Sequence, residues 1–344
     1  MALLDSLSAP APGCAVKRPP RARRAETPSA TKTTEIQPLP CWTRPQSEER
    51  PAAAFSAGAG LALFDPVLRG GADGGEPAFA GCLRQRLALR DAVPAARGRG
   101  ALRDAEHLAG GGETSPAGRL HRLFRLYASQ PPRLDAAILR AAELLGQKET
   151  TDAGTLAEIA ATAPDPLAAA ARASAAAMRL CVPATDAEIF AFVVADLVLA
   201  NRLDWARPVP LLAVAVLHPS LRRGAGGKRP RPTDEDWPVA VARAYGLAVV
   251  EAHALAVDLA RRAQKLLAVS PMLRAKGARR VIDMLLGGDA VPPAAAARAG
   301  LSDRAPRRLF DRLVALGAVR ELSGRETFRI VYEPRRRPPR PRPF

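Results

Sequence analysis

Aromatic side chains make up only 4% of this 344-residue sequence. A chain with so few rings must fill its interior largely with small side chains, which suits closely packed helices better than a β-sandwich. Cysteine is scarce as well. Cys14, Cys41, Cys82 and Cys181 are widely scattered with no C-x-x-C pair, which excludes a disulfide framework and a zinc knuckle and points to a reduced, cytoplasmic interior. Long apolar runs are missing: Ile189 to Leu203, the most apolar, is broken by Asp196, Asn201 and Arg202. It falls short of the roughly 20 residues that cross a bilayer. The opening Ala2 to Leu7, interrupted by Asp5 and Ser6, is too short and polar for a signal peptide, so no membrane association is expected.

The usual catalytic spacings are absent too. His107 lies near Asp104 and Glu106, and His253 near Glu251 and Asp258, but neither forms H-E-x-x-H or another ligand pattern. The run Gly224 to Arg229 suggests a phosphate loop, yet that loop wants Gly where Arg222 stands and Ser or Thr where Arg229 stands. The acidic Asp234, Glu235 and Asp236 read as a solvated loop or the first turn of the next helix, where negative charge suits the helix dipole. No catalytic residue, cofactor or metal ligand is therefore expected, and the chain reads as non-enzymatic.

What the chain does have is positive charge, +17 overall, with 45 arginines against six lysines. Arginine biased this way alongside abundant Ala, Gly and Pro is what GC-rich codons give, so position is more informative than the total. Residues 261–344 hold twenty basic and seven acidic residues, a net +13, whereas 51–260 are nearly neutral. A local excess of this kind is an electrostatic footprint for nucleic acid.

The length suits about two domains plus tails. Residues 1–52, with prolines recurring from Pro10 to Pro51, predict a disordered Pro/Arg-rich arm. Residues 53–268 predict a helical bundle. Its helices are expected over Ala53 to Leu68, Phe79 to Ala96, Ala101 to Leu108, from Ser115-Pro116 onward, and over Leu134 to Leu145. More follow over Thr155 to Ala163, Pro166 to Cys181, Asp186 to Asn201, Val209 to Leu217 and Val239 to Leu267. In the first, Phe55, Ala59, Ala62 and Leu63 share one side, and Gly58 and Gly60 permit a neighbour to approach. Asp186 to Asn201 is apolar around most of its circumference, the mark of a central helix.

Residues 277–333 predict a winged helix-turn-helix with a β-hairpin. Arg279 to Leu286 supplies the first helix, with Val281, Ile282, Leu285 and Leu286 inward, and Pro293 to Ala299 the second. Ser302 caps the third, Asp303 to Leu316. At 100° per residue that helix gathers Ala305, Pro306, Leu309, Phe310, Leu313, Val314 and Leu316 on one side. Arg304, Arg307, Arg308, Asp311 and Arg312 fall on the other. A recognition helix needs this division, one face to anchor it and one to offer guanidinium groups to phosphates and guanine edges. Val319 to Leu322 and Thr327 to Tyr332 alternate as hairpin strands, with Arg325 near the tip and Arg329 facing away from Phe328, Ile330 and Tyr332. The Arg/Pro tail 334–344 predicts a disordered, polyproline-like strand.

The phrases FSAGAGLALFDPVLR, RQRLALRDA, ALRDAEHL, ADLVLANRLDWARPVPLLA and LSDRAPRRLFDRLVALGAVRELSGRETFR resemble the bacterial domain-of-unknown-function family 1403. The similarity runs from about Phe55 to Ile330 and implies a family but no activity; the stretch from Glu333 to Phe344 departs from it. The expectation is a mainly α protein, a multi-helix bundle followed by a small winged helix-turn-helix domain. Its partner would be double-stranded DNA, contacted through Arg304, Arg307, Arg308, Arg312, Arg325 and Arg329, with the bundle available for a homodimer. The competing expectation is a scaffolding protein whose winged helix docks a protein partner.

Overall fold

The structure, a computed structural model, describes residues 36–45, 49–95, 123, 125–126, 128–129, 133–145, 147, 151–181, 187–216, 218–222, 227–273, 277–288, 291, 293–298, 305–321 and 331–332. The helix expected over Ala101 to Leu108, the start of the one expected from Ser115, most of the N-terminal arm, the residues between the two strands and the tail lie outside these, while Leu123, Arg125, Leu126, Ala128 and Ser129 are helical with Leu123 buried.

The chain is mainly helical. In order come α1 (Arg50–Leu68), α2 (Ala80–Ala95), α3 (Leu134–Leu144), α4 (Ala153–Ala161), α5 (Pro166–Leu180), α6 (Ala187–Arg202) and the short α7 (Leu212–Val216). The long α8 (Trp237–Val269) is followed by α9 (Ala278–Gly287), α10 (Pro293–Arg298) and α11 (Ala305–Ala315). Among the described residues, the paired strands are β1 (Arg320–Glu321) and β2 (Val331–Tyr332), antiparallel with Arg320 opposite Tyr332, and Lys228 and Val291 are single bridge residues. Of the expected hairpin only these two residue pairs fall among the described residues, which does not amount to the expected wing.

Local sequence sets the helix starts. Asp152 and Asp165 are extended residues whose carboxylates accept from Thr155 N at 3.1 Å and Ala168 N at 2.8 Å. Each such cap contributes about 1 kcal/mol. Helix α6 is the centre, buried from Ile189 through Ala200, and α5 lies along it through a face of alanines. Small side chains bring the two axes close, and Phe190 and Phe192 supply the bulk that alanine lacks. Trp237, at the start of α8, stacks on Phe192 and donates its indole N–H to Ser174 Oγ at 2.9 Å.

Helix α1 packs on α8 through glycine. A Cβ on Gly60 would lie 2.3 Å from Val249 Cγ1, and one on Gly246 would lie 2.9 Å from Pro45 Cγ and 3.6 Å from Ala57 N. The buried side is Ala53, Ala57, Leu61, Phe64 and Leu68. The expected stripe is therefore turned outward: Phe55 is 61% exposed, and a Cβ on Gly58 would touch nothing within 4 Å. Because α1 is apolar nearly all round, periodicity does not choose between its two faces. Residues 36–45, expected in the arm, hold a 3-10 turn at Cys41–Thr43 with Thr43 fully buried and Trp42 against Phe55. Pro38, Pro40 and Pro45 belong here to an extended segment packed on the bundle.

Among the described residues two helices, rather than the run at Ile189, are long and apolar enough to cross a bilayer by length and composition: Arg50–Leu68 and the α8 continuation Trp237–Met272. Their most apolar windows are 44% and 72% buried within the fold. Core helices have the same composition.

Thr33–Phe344 forms one compact unit that includes both the bundle and the C-terminal helices. Helix α9 joins them, packing on α2 and α8. Its Val281, Ile282, Leu285 and Leu286 are buried, as their spacing requires.

Candidate nucleic-acid interface

Helix α11 ends in a left-handed glycine. Gly317 has φ 62°, Ala318 N donates to Leu313 O at 3.0 Å, and Gly317 N donates to Val314 O at 2.8 Å. This double bond satisfies the last carbonyls and fixes where the helix stops. Pro306, Leu309, Phe310 and Leu313 are buried, anchoring one face. Val314, expected on that face, is 41% exposed because it lies at the edge of the anchored stripe, two turns from exposed Arg307 on nearly the same line of the helix.

Arg307, Arg308 and Arg312 stand exposed on the other side together with Asp311. Among the described residues, none of the three arginines has an ion-pair or hydrogen-bond partner. Arg304, Arg325 and Arg329 lie outside the described residues. Arg320, on β1, is exposed.

The bundle treats its arginines differently. Arg69 grips Asp65 with Nε at 2.9 Å and donates from Nη2 to the carbonyls of Leu203 and Asp204 at 2.9 and 3.0 Å. Trp205 Nε1 donates to the same Asp65 at 2.9 Å. Arg84 is buried and paired with Glu76, and its Nε donates to Pro208 O at 3.0 Å; burial lowers its pKa, against the pull of Glu76. Arg207 reaches Glu76 at 3.3 Å. Asp204 holds φ 51° where α6 ends, with Trp205 N donating to Ala200 O at 3.0 Å. These groups come from three separated stretches of sequence and fasten one connection, residues 203–208.

Next to it lies a carboxylate that the sequence shows only as an interruption of an apolar run. Asp196 is buried within α6, and its oxygens accept from Leu211 N at 3.0 Å, Leu212 N at 3.2 Å and Tyr245 Oη at 2.9 Å. Burial pushes its pKa up to about 7, and the three donors pull the other way. The arrangement ties α6, the start of α7 and α8 into one knot, and its donors come from backbone and tyrosine, partners that motif spacing does not register. His253 is buried against Phe64, and burial lowers its pKa. Its acidic neighbours in sequence are engaged elsewhere, Glu251 with Arg90 at 3.2 Å and Asp258 with Arg262.

Residues 27–332 match the family described as Protein of unknown function (DUF1403). The match spans most of the chain, which belongs to that family, and it ends just before the Arg/Pro tail. Among curated proteins none matches the chain.

Proposed function

We propose that this protein is a non-enzymatic, cytoplasmic DNA-binding protein that holds duplex DNA with α11 as the recognition helix of a winged helix-turn-helix. The observation that carries the reading is the two-sidedness of α11: Leu309, Phe310 and Leu313 anchor it, while Arg307, Arg308 and Arg312 stand exposed without a described partner. A guanidinium row with no described carboxylate partner, on a helix fixed from behind, suits phosphate oxygens and guanine edges. The order α9, α10, α11 followed by the β1–β2 pairing fits a helix-turn-helix with a wing formed between those strands. The bundle would then serve dimerisation or ligand control.

Fluorescence anisotropy of the full chain on a labelled duplex, over a salt series, tests this. Wild type should bind with an affinity that falls steeply with salt, and the triple variant Arg307→Ala, Arg308→Ala, Arg312→Ala should lose that binding. Equal binding by the triple variant rejects α11 as the recognition helix. Absence of duplex binding even at low salt, with capture of a protein partner that the triple variant loses, would replace DNA with a protein as the ligand.

A further inference from the structure

The charged surface at α11 does not stop at the C-terminal segment. The last turns of α8 bring Lys265 against the end of the helix: a Cβ placed on Gly317 would lie 3.4 Å from Lys265 Nζ. Arg261 is one turn earlier, and residues four apart on a helix share a face. Both side chains are exposed. Arg261 Nε donates only to the Val257 carbonyl of its own turn, at 3.4 Å, and among the described residues neither cation has a carboxylate partner. Their neighbour Arg262 differs, being buried and paired with Asp258. Other bundle arginines are neutralised in the same way, Arg229 by Glu188 and Arg140 by Glu143 at 2.6 Å.

The position of Lys265 has a purely structural account, since a cation near the negative end of a helix stabilises it. That account explains neither Arg261 nor the missing hydrogen bond from Lys265 to a terminal carbonyl. We infer that Lys265 and Arg261 form the bundle-side phosphate clamp of the DNA surface, so that duplex held by α11 passes onto α8. The inference rests on the DNA reading of α11 and adds a second contact from a different part of the chain. In related geometries the end of the recognition helix lies near the sugar-phosphate backbone, which places an ammonium there within reach of phosphate rather than of bases. Contacts of this kind add affinity without sequence preference, and each displaces about one counterion from the duplex. The bundle then takes part in holding DNA, and a fragment limited to the C-terminal segment would bind more weakly than the whole chain.

The test uses the full chain on one labelled duplex, with anisotropy titrations at several salt concentrations. Lys265→Ala with Arg261→Ala should flatten the plot of log affinity against log salt by about two units, roughly 0.9 per phosphate contact. Lys265→Arg should keep the wild-type slope. A control removing two exposed arginines of α5, Arg172→Ala with Arg179→Ala, should keep it as well. If the α8 double variant keeps the full slope while the α11 triple variant loses binding, the clamp is overturned and the DNA reading stands. Where the α11 triple variant binds like wild type, the DNA reading itself fails. An equal flattening by the α5 control would overturn the clamp by showing that any surface charge has this effect. A helix-capping role alone would lower the melting temperature of Lys265→Ala and leave the slope unchanged, which also overturns it.

Discussion

Gly81 and Gly287 meet backbone to backbone: a Cβ built on Gly81 would lie 2.4 Å from the Gly287 carbonyl oxygen and 3.1 Å from its Cα. Gln85 strengthens the junction by donating from Nε2 to the same carbonyl at 3.2 Å. This is where α9, the first helix of the C-terminal segment, is pinned to α2.

Gly81→Ala should therefore lift α9 from α2. The obstructing atoms belong to the main chain and cannot rotate away, so the overpacking cost should reach about 1 to 3 kcal/mol. Hydrogen exchange locates the effect. Amides of residues 278–287 should lose protection while those of 189–200, in the central helix, keep theirs. Uniform loss across both would mean that the junction is not a separate element of the fold.

On α1 two glycines two residues apart should respond in opposite directions. Gly58→Ala meets nothing within 4 Å, so it should add about 0.5 to 1 kcal/mol, the ordinary gain in a helix interior. Gly60→Ala places its methyl 2.3 Å from Val249 Cγ1, a stiff side chain that is itself buried, and should destabilise. Val249→Ala should relieve part of that loss in the double variant. Urea denaturation of the four proteins decides it, and similar effects at both glycines would sink the packing described for α1 on α8.

The same helix shows what the sequence could and could not tell. Its existence and extent follow from composition, but which side is buried does not, since Pro51 to Phe64 carries no charge to mark a solvent face. Helices α9 and α11 were legible for most of their residues because charged and apolar positions alternate there at helical spacing: Val281, Ile282, Leu285 and Leu286 inward, Arg307, Arg308 and Arg312 outward, with Val314 the exception. The knot at Asp196 was not legible. Its donors, Leu211, Leu212 and Tyr245, lie 15 to 49 residues away, and two of them are backbone amides that no side-chain pattern records. The packed segment 36–45 was hidden for a similar reason, because proline density describes a chain without helices and not one without contacts.

Phe64 and Phe55 give a direct check on the orientation of α1. Phe64 is fully buried, edge-on to Trp205 with ring centroids 6.1 Å apart, whereas Phe55 is 61% exposed beside Trp42. Phe64→Ala should cost about 3 to 5 kcal/mol. Phe55→Ala should cost less than about 1 kcal/mol, since it loses only a surface ring contact. Thermal melts would distinguish the two, and a larger loss at Phe55 would turn the helix over.

Asp196 predicts how stability depends on pH. Its folded pKa, about 7, stands above the ordinary 3.8 because burial disfavours the charged form. Between those values the folded state holds a proton that the unfolded state has released. The contribution of this group is therefore complete below about pH 4 and is lost as pH rises through about 7, a change of roughly 4 kcal/mol. His253 works in the opposite sense. Burial lowers its pKa below the ordinary 6.5, so its contribution is present above that value and is lost as pH falls through the lowered one. Urea denaturation between pH 5 and 8 should show stability declining toward the upper end. In Asp196→Asn, which has no proton to lose, that decline should vanish. Asp196→Ala should instead destabilise at every pH by about 3 kcal/mol or more, because the amides of Leu211 and Leu212 and the Tyr245 hydroxyl lose their shared acceptor. Should Asp196→Asn keep the wild-type decline, the titrating group lies elsewhere and Asp196 is ionised throughout, held by its three donors against the cost of burial.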